Sequence, residues 1–402
     1  MNRETSRFDA AAFAAPAEIA GIDRLQRLGL ITGGVGLVVC LLGLFLSPQY
    51  FYRAWLVGWV FWVGVTLGCL AISLLHHMTR GAWGLVIRRV LEAASRTLPL
   101  LLVLALPLAF GMKDLYVWAR PEAVRADALL QAKAPYLNVP FFFLRLVLYF
   151  LVWGGFAYIV GRLSLRQDRE ADPGLTRRMQ LFAGPGLAAY CLAVTFAAVD
   201  WLMSLQPHWF STIYGVYLMG SQGLAALAFL ITFALWLSRR EPMSQVLQPR
   251  HFHDWGKLFL AFVMLWAYFS FSQFLIIWAG NLPEEISFYL PRMRGAWGLL
   301  FLGIALFHFL LPFLLLLSRD LKRNARRLVI VAVLMLVMRW VDLVWQVEPA
   351  FADHHRGFYW LYLVTPLTLG GFWLAYFLRE LKKRPLLPIN DPYLPEAIAH
   401  HE

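Results

Sequence analysis

The chain has 402 residues, of which 60% are hydrophobic and only 15% charged, and its mean hydropathy is +0.60. A soluble protein carries nearer ~25% charged residues, so the composition excludes an ordinary soluble enzyme and indicates a multi-pass membrane protein. The net charge of +12 does not indicate nucleic-acid binding. Most of the 36 lysines and arginines lie in alternate loops, as the positive-inside rule expects for a membrane protein.

We predict ten transmembrane helices of about 20 residues each, the length that crosses ~30 Å of hydrocarbon. Numbered as spans 1 to 10, they are Leu28–Leu46, Ala54–Leu75, Leu98–Trp118, Phe142–Val160, Leu181–Met203, Ile213–Leu237, Leu258–Trp278, Gly295–Leu317, Leu328–Trp345 and Tyr359–Phe377. Lipid cannot hydrogen-bond to open backbone groups, and these runs lack the alternation of barrel strands. The predicted fold class is therefore an all-α integral membrane protein.

The basic residues also predict the orientation. They concentrate in the N-terminal segment, in the loops after spans 2, 4, 6 and 8, and in the C-terminal segment, so we expect both termini to be cytoplasmic. The chain then divides into a cytoplasmic N-terminal segment (1–27), a membrane domain (28–378) and a proline-rich cytoplasmic tail (379–402), which we expect to be an extended arm. Residues 80–95 mix arginines with apolar residues and predict a helix lying in the cytoplasmic interface.

A short repeat relates two parts of the membrane domain. Val199–Pro207 and Val341–Pro349 each place an aspartate seven residues before a proline, at the outer end of an outward-running span. A duplication would relate spans 2–5 to spans 6–9. It would give two four-helix bundles with spans 1 and 10 at the periphery; chance similarity is the alternative.

Charged side chains within membrane spans are costly and need a reason. Six ionisable residues form a candidate polar layer near the outer face: Arg145, Asp200, His208, Arg339, Asp342 and Glu348. Arg339 and Asp342 can pair on one helix face, and Arg145 can pair with Asp200 if spans 4 and 5 touch. One interpretation is a set of salt bridges that fixes the bundle. The other is a proton path or a polar contact to a quinone headgroup, with Tyr214 lining the pocket.

Four further residues are candidates for proton transfer at other depths. His308 is the most deeply placed ionisable residue, either a relay step or a neutral, hydrogen-bonded core histidine. His308 is not expected to bind a haem, because no second histidine lies at a similar depth to serve as the opposite axial ligand. At the cytoplasmic ends of spans 2 and 7, His77, His253 and Asp254 are candidates for a proton entry funnel, and ordinary interfacial residues are the alternative.

The three cysteines (Cys40, Cys69 and Cys191) lie far apart within apolar spans. Buried, isolated cysteines behave as small hydrophobic residues. Neither CxxC nor CxxCH occurs, so the sequence does not support iron–sulfur or c-type haem attachment. No metal site is predicted.

Six stretches of the sequence closely resemble one family. They are Asp-Trp-Leu-Met-Ser-Leu-Gln-Pro-His-Trp-Phe-Ser-Thr-Ile-Tyr-Gly (200–215), His-His-Met-Thr-Arg-Gly-Ala-Trp (76–83), His-Phe-His-Asp-Trp-Gly-Lys-Leu (251–258), Phe-Ser-Gln-Phe-Leu-Ile-Ile-Trp (271–278), Asn-Leu-Pro-Glu-Glu (281–285) and Arg-Trp-Val-Asp (339–342). Together they resemble the second large membrane subunit of alternative complex III, a bacterial quinol:cytochrome c oxidoreductase. That subunit is a distant relative of the NrfD/polysulfide-reductase membrane anchors. The resemblance covers spans 2 to 10.

The resemblance implies a non-haem, ten-helix subunit of a respiratory complex in the bacterial cytoplasmic membrane. The implied partners are a sister NrfD-like subunit, an iron–sulfur protein, a multihaem cytochrome c and a monohaem cytochrome. The implied substrate of the complex is menaquinol or ubiquinol. This subunit would contribute a proton-conducting path or a quinone-adjacent surface without a redox centre of its own. A purely structural scaffold and a stand-alone secondary transporter are the rival hypotheses.

Overall fold

Ten membrane-length helices follow one another in the computed structural model, which describes residue 13 and residues 19–351 and 359–399. They are α1 (Ile22–Leu46), α2 (Pro48–Thr79), α3 (Arg88–Phe110), α4 (Val139–Gln167), α5 (Pro173–Trp201), α6 (Tyr214–Leu237), α7 (Pro249–Gly280), α8 (Gly295–Leu317), α9 (Ala325–Val347) and α10 (Leu361–Lys382). Each predicted span overlaps one of these helices, and the described residues contain no strand. The all-α, ten-helix fold class is therefore confirmed.

Polar caps explain why several helices begin before their apolar runs. The side chain of Asn138 accepts a hydrogen bond from the Phe141 amide at the start of α4 (3.0 Å). Asp172 does the same for α5, and Asn324 for α9. Such caps satisfy amide groups that have no partner in the first helical turn. The helices therefore extend beyond the hydrocarbon-length stretch from which the spans were predicted.

Two four-helix bundles make up most of the membrane domain. In the first, α2 packs on α3 and α5, and α4 packs on α3 and α5, which closes a ring. In the second, α6 packs on α7 and α9, and α8 packs on α7 and α9, which closes a ring in the same order. Helix α1 lies along α10, which also packs on α2, so both lie outside the bundles. This is the arrangement that the proposed repeat predicts.

The two bundles meet through α2 and α6, which are buried over almost their whole length. Gly68 of α2 lies against the backbone of α6, where an added Cβ would overlap the carbonyl group of Gln222. Small residues let membrane helices approach this closely. The Gln222 side chain accepts a hydrogen bond from the Tyr190 hydroxyl of α5 (2.7 Å), so the contact also joins α5.

Helix α3 is divided into three segments, Arg88–Ser95, Leu98–Val103 and Leu106–Phe110. Proline lies in the first turn of the second and third segments, where its missing N–H leaves carbonyl groups of the preceding turn unpaired. The indole Nε1 groups of Trp55 and Trp59 on α2 donate to Leu104 O (2.9 Å) and Leu101 O (2.7 Å). The neighbouring helix α2 thus donates hydrogen bonds to carbonyl groups of α3 that the helix break leaves unpaired, as a lipid environment requires.

The start of α3 corrects the prediction of an interfacial helix over 80–95. All residues of Arg88–Ser95 are buried. Arg88 pairs with Asp391 (2.7 Å) and Arg89 with Glu92 (2.7 Å) and Asp168. The basic, apolar pattern was interpreted as a membrane-surface helix, but its charges are neutralised by carboxylates from three parts of the chain. We call Arg88, Arg89, Glu92, Asp168 and Asp391 the terminal-face network, after the side of the membrane domain on which they lie, which is defined below.

The chain ends of the membrane domain lie on one side, where Lys382 Nζ of α10 is 2.7 Å from Asp23 Oδ1 of α1. We call this side the terminal face and the opposite side the distal face. The distal face corresponds to the side predicted to be outer.

The proline-rich tail is not the extended arm that we expected. It folds back on the terminal face, buries Leu387 and Leu394, and ends in the short helix Leu394–Ala399. His251 Nε2 of α7 lies 3.2 Å from the Ala397 carbonyl oxygen. Residues 400–402 of the predicted tail and residues 1–12 and 14–18 of the predicted N-terminal segment lie outside the described residues.

The close contact between α2 and α6 predicts the effect of a single methyl group. Gly68→Ala should destabilise the protein by about 1–3 kcal/mol, the usual cost of overpacking a well-packed core. Gly154 of α4 has no neighbouring atom within 4 Å of an added Cβ, so Gly154→Ala is the matched control and should be neutral or stabilising. Thermal unfolding of the two purified variants measures the difference, and equal melting temperatures would contradict the prediction.

Candidate functional site

A buried ion pair joins α4 to α5 near the distal face. Arg145 Nε and Nη2 donate to Asp200 Oδ2 and Oδ1, each at 2.8 Å. The Tyr149 hydroxyl donates to Asp200 Oδ2 at 2.7 Å. Such two-pronged, charge-assisted contacts are among the strongest in proteins. The predicted pairing of Arg145 with Asp200 is therefore confirmed.

The rest of the Arg145 guanidinium is also occupied. Its Nη1 donates to the Tyr136 carbonyl oxygen (2.9 Å). Its Cζ lies 3.9 Å from the ring centroid of Tyr136 and 4.3 Å from that of Phe141, within the range of cation–π contact. Both charges of the pair are thus enclosed by protein, and the geometry is that of a clamp between two helices.

The second buried carboxylate, Asp342 of α9, lies in a different setting. The Tyr217 hydroxyl of α6 is 2.8 Å from both of its oxygens. Gln346 Nε2 lies 2.9 Å from the same hydroxyl and 3.1 Å from Asp342 Oδ2. Arg339 Nη1 donates to Asp342 Oδ2, so the predicted Arg339–Asp342 pairing is also confirmed.

A chain of hydrogen bonds leads away from Asp342. The Tyr214 hydroxyl donates to Gln346 Oε1 (2.8 Å), Gln346 Nε2 donates to the Tyr217 hydroxyl, and Tyr217 donates to Asp342. Every bond in this chain is donated toward the carboxylate. Tyr214 and Tyr217 both line a cavity of about 10 Å³, which is about the room that one water molecule needs. We call Tyr214, Gln346, Tyr217, Asp342 and Arg339 the Asp342 cluster.

Two larger cavities adjoin this small one. Ser270 of α7 also lines an apolar groove of about 330 Å³ between α7 and α8. Gln273, one turn along α7, also lines a cavity of about 290 Å³ that includes Glu285 and residues of the 210–213 loop. The Asp342 cluster therefore lies between a groove facing the lipid and a cavity near the distal face.

His308 of α8 is completely buried, and its ring centroid lies 4.1 Å from that of Trp266. Neither ring nitrogen has a hydrogen-bond partner among the described residues. The backbone around it, Ala305–Leu310, has π-helical spacing, a distortion that is frequent at functional sites. Trp266 also lines the groove between α7 and α8, so one indole separates His308 from that groove.

Glu348 belongs to a third group of charges, at the end of α9. Arg53 Nη1 of α2 lies 3.4 Å from Glu348 Oε1, and the Tyr362 hydroxyl of α10 donates to Glu348 Oε2. The Arg53 guanidinium also lies 4.1 Å from the Phe351 ring centroid. Through Arg53 and Tyr362, Glu348 links the end of α9 to α2 and α10. Arg53 was missed because sequence analysis counted it with the loop before span 2.

His208 lies apart from the other members of the predicted layer. Its side chain is exposed, and its Nε2 is 2.7 Å from Asp127 Oδ2. Burial raises the pKa of Asp127, but hydrogen bonds from the Leu130 and Leu129 amides and from His208 outweigh it, so the pKa is lowered. The structure therefore distributes the six predicted residues over four separate contact groups near the distal face.

Arg292 is a buried cation that the sequence analysis missed. It is 1% exposed, and it donates to Gln206 Oε1 (3.0 Å) and to the Gln346 carbonyl oxygen. Burial lowers the pKa of Arg292 to about 9, against the opposing effect of nearby Tyr214 and Tyr289. It was missed because basic residues in loops were used only to predict orientation.

The three candidates at the terminal face are not brought together. His77 is buried, and its Nε2 has no hydrogen-bond partner among the described residues. His253 is half-buried, and Asp254 is exposed and pairs with Lys257 on its own helix (3.1 Å). The dense group of charges on this side is instead the terminal-face network.

The sequence matches no protein-family model and no curated protein. Among the described residues, no group of three His, Cys, Asp or Glu side chains is arranged to hold a metal ion.

The enclosed Arg145–Asp200 pair predicts a large effect on stability. Asp200→Asn should destabilise the protein by about 3–5 kcal/mol, because it leaves a buried guanidinium without a counter-charge. Arg145→Met/Asp200→Asn should restore part of this loss. Glu170→Gln is the control, because it removes the exposed Arg166–Glu170 pair and should cost at most about 1 kcal/mol. Thermal unfolding in detergent compares the variants; a small effect of Asp200→Asn would mean that the pair is no clamp.

Proposed function

We propose that this chain is a non-haem integral subunit of a bacterial respiratory quinol:acceptor oxidoreductase. In this proposal it lies in the cytoplasmic membrane with both termini on the cytoplasmic side, next to a sister NrfD-like subunit. An iron–sulfur protein and multihaem and monohaem cytochromes c would carry the electrons from menaquinol or ubiquinol. The chain itself would carry no redox centre, and its second bundle would accept protons beside a quinone.

The observation that carries the proposal is the directed hydrogen-bond chain of the Asp342 cluster. Oxidation of a quinol releases two protons, which need a nearby base. Asp342 is a candidate for such a base, and it is paired with Arg339 on its own helix. Tyr214, Gln346 and Tyr217 connect it to a cavity the size of a water molecule. These contacts support a proton acceptor on the distal, outer side of the membrane.

The surroundings of the cluster support a quinone-adjacent surface. The groove between α7 and α8 is lined by aromatic and aliphatic side chains, the lining that a flat, apolar ring prefers. Its volume of about 330 Å³ lies within the usual ~300–1,000 Å³ of ligand pockets. Ser270 lines both the groove and the small cavity, so a headgroup in the groove would lie next to the hydrogen-bond chain.

His308 would then serve as a mid-membrane step of the same bundle. A completely buried imidazole without a hydrogen-bond partner is costly, which favours a functional role over a packing role. His208 and Glu348 would serve the distal end in this proposal, and His77, His253 and Asp254 the entry from the terminal face. The closed geometry of the Arg145–Asp200 pair supports a structural role for these two residues in the first bundle.

A purely structural subunit is the second candidate, and the first bundle favours it. A stand-alone transporter has less support. Transporters built from repeats interrupt corresponding helices of both halves near mid-membrane. Here α3 is divided into three segments while its counterpart α7 is continuous, and α8 has a π-helical stretch that α4 lacks.

Two matched tyrosine variants test the proton role in the assembled complex. Tyr217→Phe removes the hydroxyl that contacts Asp342, and Tyr149→Phe removes the one that contacts Asp200. We expect Tyr217→Phe to slow quinol oxidation and coupled proton release at least ten-fold. General acid–base catalysis contributes ~10²–10⁴-fold in total, and here that contribution is shared by several groups. Tyr149→Phe should leave both rates unchanged. Stopped-flow reduction of cytochrome c with a pH indicator measures both.

The two outcomes of this test that contradict the proposal differ in meaning. If both variants keep wild-type rates in a fully assembled complex, the Asp342 cluster carries no proton. If both slow the reaction equally, the effect is on structure rather than on the cluster. Asp342→Asn then serves as the check, because it keeps the size of the side chain while removing the base.

Co-purification tests whether the chain is part of a respiratory complex at all. An affinity tag on the C-terminus should bring down partners with c-type haem absorbance and iron–sulfur signals in mild detergent. A homogeneous chain without haem partners that moves a solute into liposomes would instead establish the transporter. The measurement is an absorbance and electron paramagnetic resonance spectrum of the purified sample.

A further inference from the structure

A deep apolar cleft lies outside both bundles, between α1, α6 and α10. Its volume is about 500 Å³. Trp62 and Trp373, whose ring centroids are 4.8 Å apart, form its inner end. Phe229 and Phe233 of α6 continue the wall toward the terminal face with stacked rings (5.9 Å). The cleft is thus an aromatic-walled slot lined mainly by α1, α6 and α10.

The cleft opens into a second cavity at the terminal face. Thr232 and Trp236 line both, so the two spaces adjoin along α6. The second cavity has a volume of about 710 Å³ and is bordered by Arg239 and Arg240. None of the described residues that line either cavity is acidic. The combined space is apolar at one end and positively charged at the other.

The two arginines differ in how they are held. Arg240 Nε donates to Ala20 O (2.8 Å) and Nη1 to Trp236 O (2.7 Å), and its Cζ lies 3.8 Å from the Trp236 ring centroid. Its guanidinium is therefore fixed, while its Nη2 has no partner among the described residues. Arg239 is exposed and makes no hydrogen bond or ion pair within the described part of the chain. Both have donors available for an anion.

We infer that these two adjoining cavities bind one anionic glycerophospholipid, with one of its two acyl chains in the aromatic cleft and its phosphate at Arg239 and Arg240. Guanidinium groups bind phosphate oxygens with good geometry. Basic pockets between membrane helices are a known setting for anionic headgroups, and the tryptophan between the two ends suits the interface level. This site is independent of the Asp342 cluster and of the proposed respiratory role.

The distribution of charge argues for a lipid rather than a partner helix. A helix packed into the cleft would place apolar side chains against it over its whole length, and it would not need two uncompensated arginines at one end. A phospholipid has the same polarity as the cavity along its length. Its headgroup supplies the negative charge that the lining lacks.

Native mass spectrometry of the full-length protein tests this inference. The delipidated protein is titrated with phosphatidylglycerol and, separately, with zwitterionic phosphatidylcholine. We expect one phosphatidylglycerol to bind with clear preference. Arg239→Gln should weaken it about five-fold and Arg239→Gln/Arg240→Gln about 25-fold, since each arginine near a membrane surface contributes about a five-fold change in binding.

Two further variants keep the test decisive. Arg177→Gln/Arg178→Gln removes an adjacent, exposed pair at the start of α5 on the same face and should not change binding. Thr32→Trp places an indole in the cleft at an exposed position of α1 and should also weaken binding. Because Arg239 has no described partner, Arg239→Gln is informative even if the double variant does not fold.

Several results would overturn the inference. Equal binding of the two lipids would show that charge does not select the occupant. If the Arg177/Arg178 and Arg239/Arg240 variants lost phosphatidylglycerol binding equally, the binding would be a general effect of surface charge. A quinone or a partner helix found in the cleft, by mass or by crosslinking from Thr32→Cys, would assign the space to another occupant.

Discussion

The membrane domain depends on the close approach of α2 and α6. These two helices are the ones shielded most completely from lipid, and each belongs to a different bundle. Their contact is possible because Gly68 leaves room for the backbone of α6 at Gln222. In a membrane, packing of this kind replaces the hydrophobic effect as the force that holds helices together. The other eight helices are arranged around this pair. Asp200 and Asp342 lie on α5 and α9, two of the helices that pack against it.

Asp200 and Asp342 show how the same position in two similar bundles can be held by different contacts. Both lie near the distal end of the fourth helix of a bundle, and both are paired with an arginine and a tyrosine. Asp200 is paired with an arginine of the preceding helix, α4, in a two-pronged contact that joins the two helices. Asp342 takes its arginine from its own helix, so the contact holds no helices together. Its other partners lead to a cavity instead. Geometry, rather than residue type, distinguishes the two sites, and the proposed acceptor role of Asp342 depends on this difference.

Hydropathy was sufficient to predict the ten helices and their order, because the cost of open backbone groups in lipid leaves few alternatives. It failed for residues 88–95. There the charges are paired within the protein, and a window of sequence cannot reveal partners such as Asp168 or Asp391. The spacing of Glu92 three and four residues after Arg89 and Arg88 was the one local signal of internal pairing.

The pairs of the candidate site were predictable where the partners are near in sequence or lie on consecutive spans, as for Arg339–Asp342 and Arg145–Asp200. The role of Arg292 was not predictable. Its acceptors are the Gln206 side chain, the Phe288 carbonyl group of its own segment and the Gln346 carbonyl group at the end of α9, and neutral acceptors carry no signature in the sequence. His208 was grouped with Asp200 because the two are close in sequence, but α5 ends at Trp201 and the imidazole contacts Asp127 instead.

The salt bridge between Arg88 and Asp391 also has a consequence for the order of assembly. The two residues are separated by 303 positions, so Arg88 is synthesised long before this carboxylate. Until then, its carboxylate partner on the same helix is Glu92, at 3.2 Å. The first turn of α3 therefore completes its ion pairs only after all ten helices have been synthesised. The segment that follows α10 acts as the closing step in the assembly of the third helix.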